Sequence, residues 1–288
     1  MIDVAFVTYA KVPDLTPDDQ LVVAELKRRS ISSRAVSWDD ETVDWKSFNA
    51  VILRSVWDYW TRYAAFLNWL DRLEQMNLSI WNPVKAIRWN IDKSYLRDLA
   101  NKGVASVPMV VVPQGATRSL EGVVRDHGWA KAVVKPVVAS AGYETWMTDP
   151  QLAREDQSAF EGLLRKSGVM IQPFMPEIVQ HGEWSVMFFD RKYSHAVIKR
   201  PRPGDFRVQP NYGGTSTTEK PPHALIDQAS AVLKHVEGPL LYARVDGFFA
   251  DGRLTLTELE LIGPVLFFGN DPLADERFAD AVEIRLSV

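Results

Sequence analysis

The chain has 288 residues, of which 46% are hydrophobic, and this length predicts two or three packed lobes sharing a cleft. Its formal net charge of -4, with no clustered cationic face, excludes nucleic acid and anionic membrane as partners, and the lack of cysteine excludes disulfides, a thiolate nucleophile and a cysteine zinc site. The five histidines (His127, His181, His195, His223, His235) lack paired ligand spacing, and no stretch approaches the ~20 apolar residues of a membrane span, so the expected setting is the cytoplasm.

Ile2 to Tyr9 is an apolar run fit for a buried strand. Thr16-Pro17-Asp18-Asp19 then supplies an N-cap, a first-turn proline and early acids ahead of the periodic Leu21, Val22, Ala24 and Leu26, which predicts a helix. Ser33 to Val36 and Ala50 to Arg54 read as strands, Tyr63 to Leu78 as a helix, and Leu78 to Trp81 as a short strand ending at Asn82-Pro83. The alternation predicts an open, mostly parallel α/β sheet as far as about residue 90. Such sheets bind ligands beyond the carboxyl ends of their strands, where Arg54, Ser55, Asp58 and Tyr59 fall. Arg54 would hold a carboxylate and Asp58 an ammonium, a combination suited to a small amino-acid-like substrate. A structural ion pair between Arg54 and Asp58 fits equally well. The tryptophans, seven of ten before residue 90, also fit an aromatic core.

Lys93 to Asn101, Leu120 to His127 and Leu152 to Lys166 read as helices and Val107 to Val112 as a strand, together a small central lobe. Lys135 ends the run Lys131-Ala132-Val133-Val134 and is followed by the small residues Ser140-Ala141-Gly142. A lysine at a strand end before such a loop brings a point charge and backbone N–H groups toward an anion. Neither a Walker-type loop nor a dinucleotide fingerprint is present, so a nucleotide would be bound by another arrangement.

From Val169 the chain is strand-rich, until helices near His223 to His235 and Asp275 to Leu286. The segment Lys199 to Arg207 carries several cations and reads either as an anion site or as a solvated loop. Alternation in Leu241 to Phe249 and in Leu254 to Leu261 predicts adjacent strands, with Arg244 and Asp246 on one face and Glu258 and Glu260 on one face. Three carboxylates beside one guanidinium repel each other unless a hard cation neutralises them, and oxygen-only ligands favour magnesium with a phosphate-bearing substrate. An isolated Glu-x-Glu also fits a solvent-facing hairpin.

Together these segments resemble the ATP-grasp ligases over most of the chain. Lys131 to Pro136 followed by Ser140 to Tyr143 is similar to the family's phosphate-binding strand and flap. Val169-Met170-Ile171-Gln172-Pro173-Phe174 and Gly182-Glu183 resemble its hinge and ribose-binding carboxylate. Phe206-Arg207, five residues, Gly213-Gly214 is similar to the glutathione synthetase and ribosomal-protein glutamylase branch, and Arg244-x-Asp246 with Glu258-x-Glu260 to its metal pair. Asp92-Lys93, with Gly103 and Val107-Pro108, resembles the entry into the central lobe. Within the family, Arg54 to Tyr59 and Gly204 to Gln209 are most similar to the O-ureido-serine cyclo-ligases of cycloserine formation. The acidic residue that many relatives carry before the proline is replaced here by Gly263.

The resemblance implies an α/β ATP-grasp fold: an amino-terminal lobe over residues 1–91, a central lobe over 92–168 and a carboxyl-terminal lobe over 169–288. It implies ATP and two magnesium ions, with Glu258 bridging the ions, Asp246 on one and Glu260 on the other. Lys93, Lys135, Ser140 and Gly142 would contact phosphate, Gln172 and Phe174 the adenine, and Glu183 the ribose. Lys199 and Arg207 would hold the transferring phosphoryl group, and Arg244 would stabilise an acyl phosphate. The implied reaction phosphorylates a carboxylate, which a nitrogen of the same molecule then attacks to close a ring. The alternatives are an intermolecular carboxylate–amine ligase and a nucleotide-binding module without turnover. A homodimer is compatible with the chain.

Overall fold

The computed structural model describes residues 2–287, which form three sheets. In the first, β1 (Ile2–Thr8) is followed by helix α1 (Pro17–Arg28), β2 (Ile31–Ser37), β3 (Ala50–Leu53), α2 (Tyr63–Gln75) and β4 (Ile80–Trp81), all strands parallel in the order β2-β1-β3-β4. A parallel sheet is covered on both faces, which is why β3 is wholly apolar and wholly buried. Thr16 starts α1 as expected, its hydroxyl accepting the Asp19 N–H at 3.0 Å. On one face α2 packs Phe66 and Trp69 against Trp38 and Trp45. The Trp38–Phe66 and Trp45–Trp69 ring pairs meet edge-on at 5.3 and 5.5 Å. Each such buried ring contributes roughly 1.5–3 kcal/mol through area alone. Part of the tryptophan excess is therefore core.

A helix that the sequence did not announce, α3 (Val84–Ile91), leads into α4 (Tyr95–Asn101), shorter than the expected Lys93 to Asn101. The second sheet is antiparallel, of order β5-β8-β6-β7: β5 (Val110–Val112), β6 (Ala132–Pro136), β7 (Trp146–Thr148) and β8 (Val169–Pro173). Helices α5 (Leu120–Asp126), α6 (Leu152–Glu155) and α7 (Gln157–Lys166) close one apolar core against it. The single helix expected over Leu152 to Lys166 is thus two, divided at Asp156, whose carboxylate accepts the Trp146 indole N–H at 3.2 Å. The expected boundary after residue 168 also moves. Strand β8 pairs Ile171 with Val134 and Val110 and belongs to the second sheet, its backbone paired on both edges and its Val169, Met170 and Ile171 fully buried.

After α8 (Pro176–His181), the third sheet has the order β11-β10-β9-β12-β13 and is antiparallel throughout: β9 (Glu183–Phe189), β10 (Lys192–Arg200), β11 (Thr215–Thr218), β12 (Tyr242–Ala250) and β13 (Arg253–Glu260). Helix α9 (His223–Leu233) lies on one face. On the other, Met187, Phe189 and Tyr242 join α1 and α10 (Ala274–Leu286) in a core shared with the first sheet. Among the described residues no helix is long and apolar enough to cross a membrane.

Strand β13 lies at a sheet edge; Leu256 pairs there with the backbone of Ala105 and Val107, and beyond it the outward backbone groups are taken by side chains. Asn90 donates to Leu259 O and accepts from Leu261 N, both at 2.8 Å. The Tyr95 hydroxyl donates to Leu259 O and accepts from Leu259 N, also at 2.8 Å. The buried Asn82 amide bridges Leu261 O and Tyr242 O at 2.8 and 2.9 Å.

Candidate active site

The three sheets enclose a cavity of about 730 Å³. Its floor is the β12–β13 pair, where Arg244 faces Glu260 and Asp246 faces Glu258 in register. This is the juxtaposition that the period-2 alternation predicts. A bulge follows Asp246, so Thr257 and Glu258 both reach the cavity. Glycine is required opposite it: a Cβ on Gly247 would lie 2.4 Å from Thr255 O. Oxygens of Asp246, Glu258 and Glu260 come within 4.8 Å of one another.

Cations hold this cluster. Arg244 donates to Asp246 from Nε and Nη2 at 2.9 and 2.8 Å, to Glu260 from Nη2 at 2.7 Å, and from Nη1 to Val265 O at 3.1 Å. Lys199 bridges Glu183 at 2.7 Å and Asp246 at 3.2 Å. Lys93 reaches Glu258 at 2.9 Å and Ala139 O at 2.7 Å. Ser185 donates to Asp246 at 2.7 Å and Thr257 to Glu183 at 2.6 Å.

The acids titrate apart. Burial raises the Asp246 carboxyl, yet Arg244 and Lys199 outweigh it and hold it down at about 2. Glu258 is also lowered, burial being overcome by Lys93 and Lys135. Glu260 is pushed up to about 7, because burial together with repulsion from Glu258 and Asp246 exceeds the pull of Arg244. Burial lowers Lys135, which has no carboxylate within ion-pair distance among the described residues. Three oxygen donors converging beside an unpaired lysine suit a hard divalent cation carrying phosphate.

Of the other expected residues, Ser140, Gly142, Gln172, Phe174, Glu183, Arg207 and Tyr59 all line the cavity. Gln172 is buried with its amide nitrogen unpartnered, whereas the Phe174 N–H is already engaged by Lys131 O at 2.9 Å, leaving its ring to face the cleft. Arg207 is held by Asp205 at 2.9 Å and lies 3.6 Å from the centre of the Tyr212 ring. Tyr212 in turn donates to Gly142 O at 3.1 Å, and a Cβ on Gly142 would meet the Tyr212 ring at 2.9 Å. Gly142 has φ +72°, so the flap turn needs glycine on both counts.

The substrate assignments for Arg54, Ser55 and Asp58 are corrected. Arg54 is 2% exposed, pairs with Asp19 at 2.8 Å and donates to Pro264 O at 3.1 Å; Ser55 donates to the same aspartate at 3.1 Å. Asp58 accepts from the Trp38 indole at 2.8 Å and pairs with Arg62 at 2.9 Å. None of the three lines the cavity, and Arg54 and Asp58 are not each other's partners. The reason is Asp19, which reads in sequence as an acid of the first helical turn and in space neutralises Arg54. What sequence reasoning missed at the strand ends is aromatic: Tyr9, Trp57 and Trp60 face the cavity, and Trp60 lies 4.1 Å from Tyr143 of the flap, ring centre to ring centre.

Comparison with known proteins shows the family. The family model described as D-cycloserine synthetase DcsG, N-terminal domain, matches residues 4–82. The cycloserine biosynthesis protein DcsG of Streptomyces lavendulae is 32% identical over 270 residues, covering 89% of each chain. A crystal structure of D-cycloserine synthetase DcsG matches with a TM-score of 0.88 at 30% identity over 99% of both chains. The D-alanine–D-alanine ligase of Bacillus anthracis complexed with ATP shares the fold, with a TM-score of 0.70 at 14% identity over 100% of this chain and 97% of that one. At the identity and coverage of the cycloserine proteins, the chain belongs to the D-cycloserine synthetase DcsG family of ATP-grasp ligases, ATP-dependent enzymes that form carbon–nitrogen bonds.

Proposed function

We propose that the protein uses magnesium-ATP to convert the carboxylate of a small amino-acid-like substrate into an acyl phosphate, and that a nitrogen of the same molecule closes a ring of the cycloserine type. A carboxylate oxygen attacks the γ-phosphorus and ADP leaves; the nitrogen then attacks the acyl carbon, phosphate leaves and the nitrogen gives up a proton. The observation that carries the reading is the convergence of Asp246, Glu258 and Glu260 beside Arg244 and Lys135, in a chain that matches a cycloserine biosynthesis protein over 89% of both lengths.

Asp246, Glu258 and Glu260 would hold magnesium, two ions on this reading, whose charge would offset that on the phosphates. Asp246 and Glu258 are already ionised at neutral pH and accept a cation without losing a proton. Lys93, Lys135, Ser140 and Gly142 bind phosphate, while Lys199 and Arg207 hold the transferring group. Gln172 and Phe174 bind the adenine and Glu183 the ribose. Arg244, fixed by Asp246, Glu260 and Val265 O, stabilises the acyl phosphate and the tetrahedral state that follows. The contact of Trp60 with Tyr143 covers the flap and excludes water from the acyl phosphate. The amino-terminal lobe contributes the acceptor side, and the enzyme acts in the cytoplasm.

The test is ADP release from the purified protein with ATP, magnesium and O-ureidoserine alone. ADP together with a cyclised product supports the reading. A requirement for a second, added amine would make the enzyme an intermolecular ligase, and nucleotide binding without ADP would make it a module without turnover.

A further inference from the structure

Four carboxylates line the cavity, and each is committed: Glu183 to Lys199 and Thr257, Asp246 to Arg244 and Lys199, Glu258 to Lys93, Glu260 to Arg244. The carbonyls just beyond Glu260 are committed too. Gly263 O accepts from the Trp57 indole at 2.8 Å, Pro264 O from Arg54 at 3.1 Å, Val265 O from Arg244 at 3.1 Å and Leu266 O from His195 at 2.9 Å. An amino-acid substrate brings an ammonium into this space, and a cation needs an electron-rich partner. Apart from the unpartnered Gln209 amide oxygen on the flap side, what lies open in the cavity is largely aromatic.

We propose that the substrate ammonium binds against the ring faces of Tyr9 and Trp57, a cation–π subsite rather than a carboxylate one. The proposal rests on the amino-acid substrate proposed above. Both rings line the cavity and are half-buried, with centres 6.4 Å apart and planes inclined at 57°. Trp57 is anchored at Gly263, three residues past Glu260, which fixes its indole on the same wall of the cavity. Partly desolvated indole and phenol faces attract an ammonium where water competes poorly. Burial and the Asp58 carboxylate both push the Tyr9 hydroxyl up, so the ring stays neutral.

The experiment measures ADP release by the whole chain with O-ureidoserine and with its analogue carrying hydrogen in place of the amino group. The wild type should prefer the amino acid. In Trp57→Leu and Tyr9→Leu, the KM for the amino acid should rise roughly 5- to 30-fold, the range expected for one cation–π contact. The KM values for ATP and for the deaminated analogue should stay as in the wild type. Trp57→Phe should keep most of the preference although it lacks the N–H that holds Gly263, and Asp58→Asn should keep all of it. Retention of the preference in both leucine variants overturns the proposal; so does its loss in Asp58→Asn, or a Trp57→Phe variant as impaired as Trp57→Leu, which would reduce Trp57 to a support of the loop. Should Trp57→Leu fail to fold, Tyr9→Leu decides. Absence of ADP from the wild type with any small amino acid is a different result, and it rejects the functional reading itself.

Discussion

Two buried arginine–aspartate pairs stand close in this molecule and do opposite things. Arg54 meets Asp19, and Arg244 meets Asp246, each at 2.8 Å, with every side chain less than a tenth exposed. Around Arg54 the count is one cation to one acid, sealed by the rings of Tyr242, Phe268 and Phe278 at 5.3 to 5.9 Å. Around Arg244 the charges are many and face an open cavity, with Glu260, Glu258 and Lys199 all within reach. Burial of an arginine pair therefore says little about function. Unequal charges facing a space do.

Substitution should separate the two pairs most sharply in turnover. Arg244→Ala or Glu258→Gln should lower kcat by about two to four decades, the scale for loss of a charge-stabilising group, with the fold intact by circular dichroism. Near wild-type turnover in either, with normal ATP binding, would dissolve the contrast. Arg54→Ala should act on the fold instead, since it leaves the buried Asp19 with only the Thr16 and Ser55 hydroxyls and no cation, at a cost of about 3–5 kcal/mol. Its denaturant midpoint should drop while the folded fraction binds ATP as before; weakened ATP binding without loss of stability would return Arg54 to the site.

A smaller effect tests the cavity cluster through its ligand. Magnesium-ATP at about a hundred times its Kd should stabilise the chain by about 2.7 kcal/mol in thermal unfolding, and ATP with EDTA by clearly less. Equal shifts would remove the metal from the Asp246, Glu258 and Glu260 cluster. The smallest effect concerns acidity. Glu260 stands at about 7 and is mostly protonated at pH 6, whereas Asp246 at about 2 is ionised throughout. Magnesium requires the ionised form, so its affinity should fall by about tenfold from pH 8 to pH 6, with proton release on binding at pH 6. Calorimetry in buffers of different ionisation heat reads both; a flat profile that persists in Glu260→Gln would mean that Glu260 is no ligand.

The legibility of the sequence follows the same division. Period-2 alternation sufficed for Arg244, Asp246, Glu258 and Glu260, because a strand converts spacing directly into a shared face. The parallel character of the first sheet, though not its strand order, followed from its apolar runs and the Thr16 cap. Arg54 was misread because its partner lies 35 residues away in a helix whose acids already had a local explanation. Asn82, Asn90 and Tyr95 carry no sequence signal: an amide that satisfies an edge strand looks like any surface polar residue until the strand is placed. The split of α6 from α7 at Asp156 likewise depends on Trp146, from another element.

The same three side chains on β13 have a mechanical consequence. They reach across from the segment joining the first sheet to the second and fasten the strand of Glu258 and Glu260 by its outer edge. With the core shared by α1, α10 and the third sheet, they make the first and third sheets one stator. The second sheet, which carries Lys135 and leads into the flap, faces them across the cavity. Amide exchange at Leu259 and Leu261 should therefore be among the slowest in the chain, with and without nucleotide.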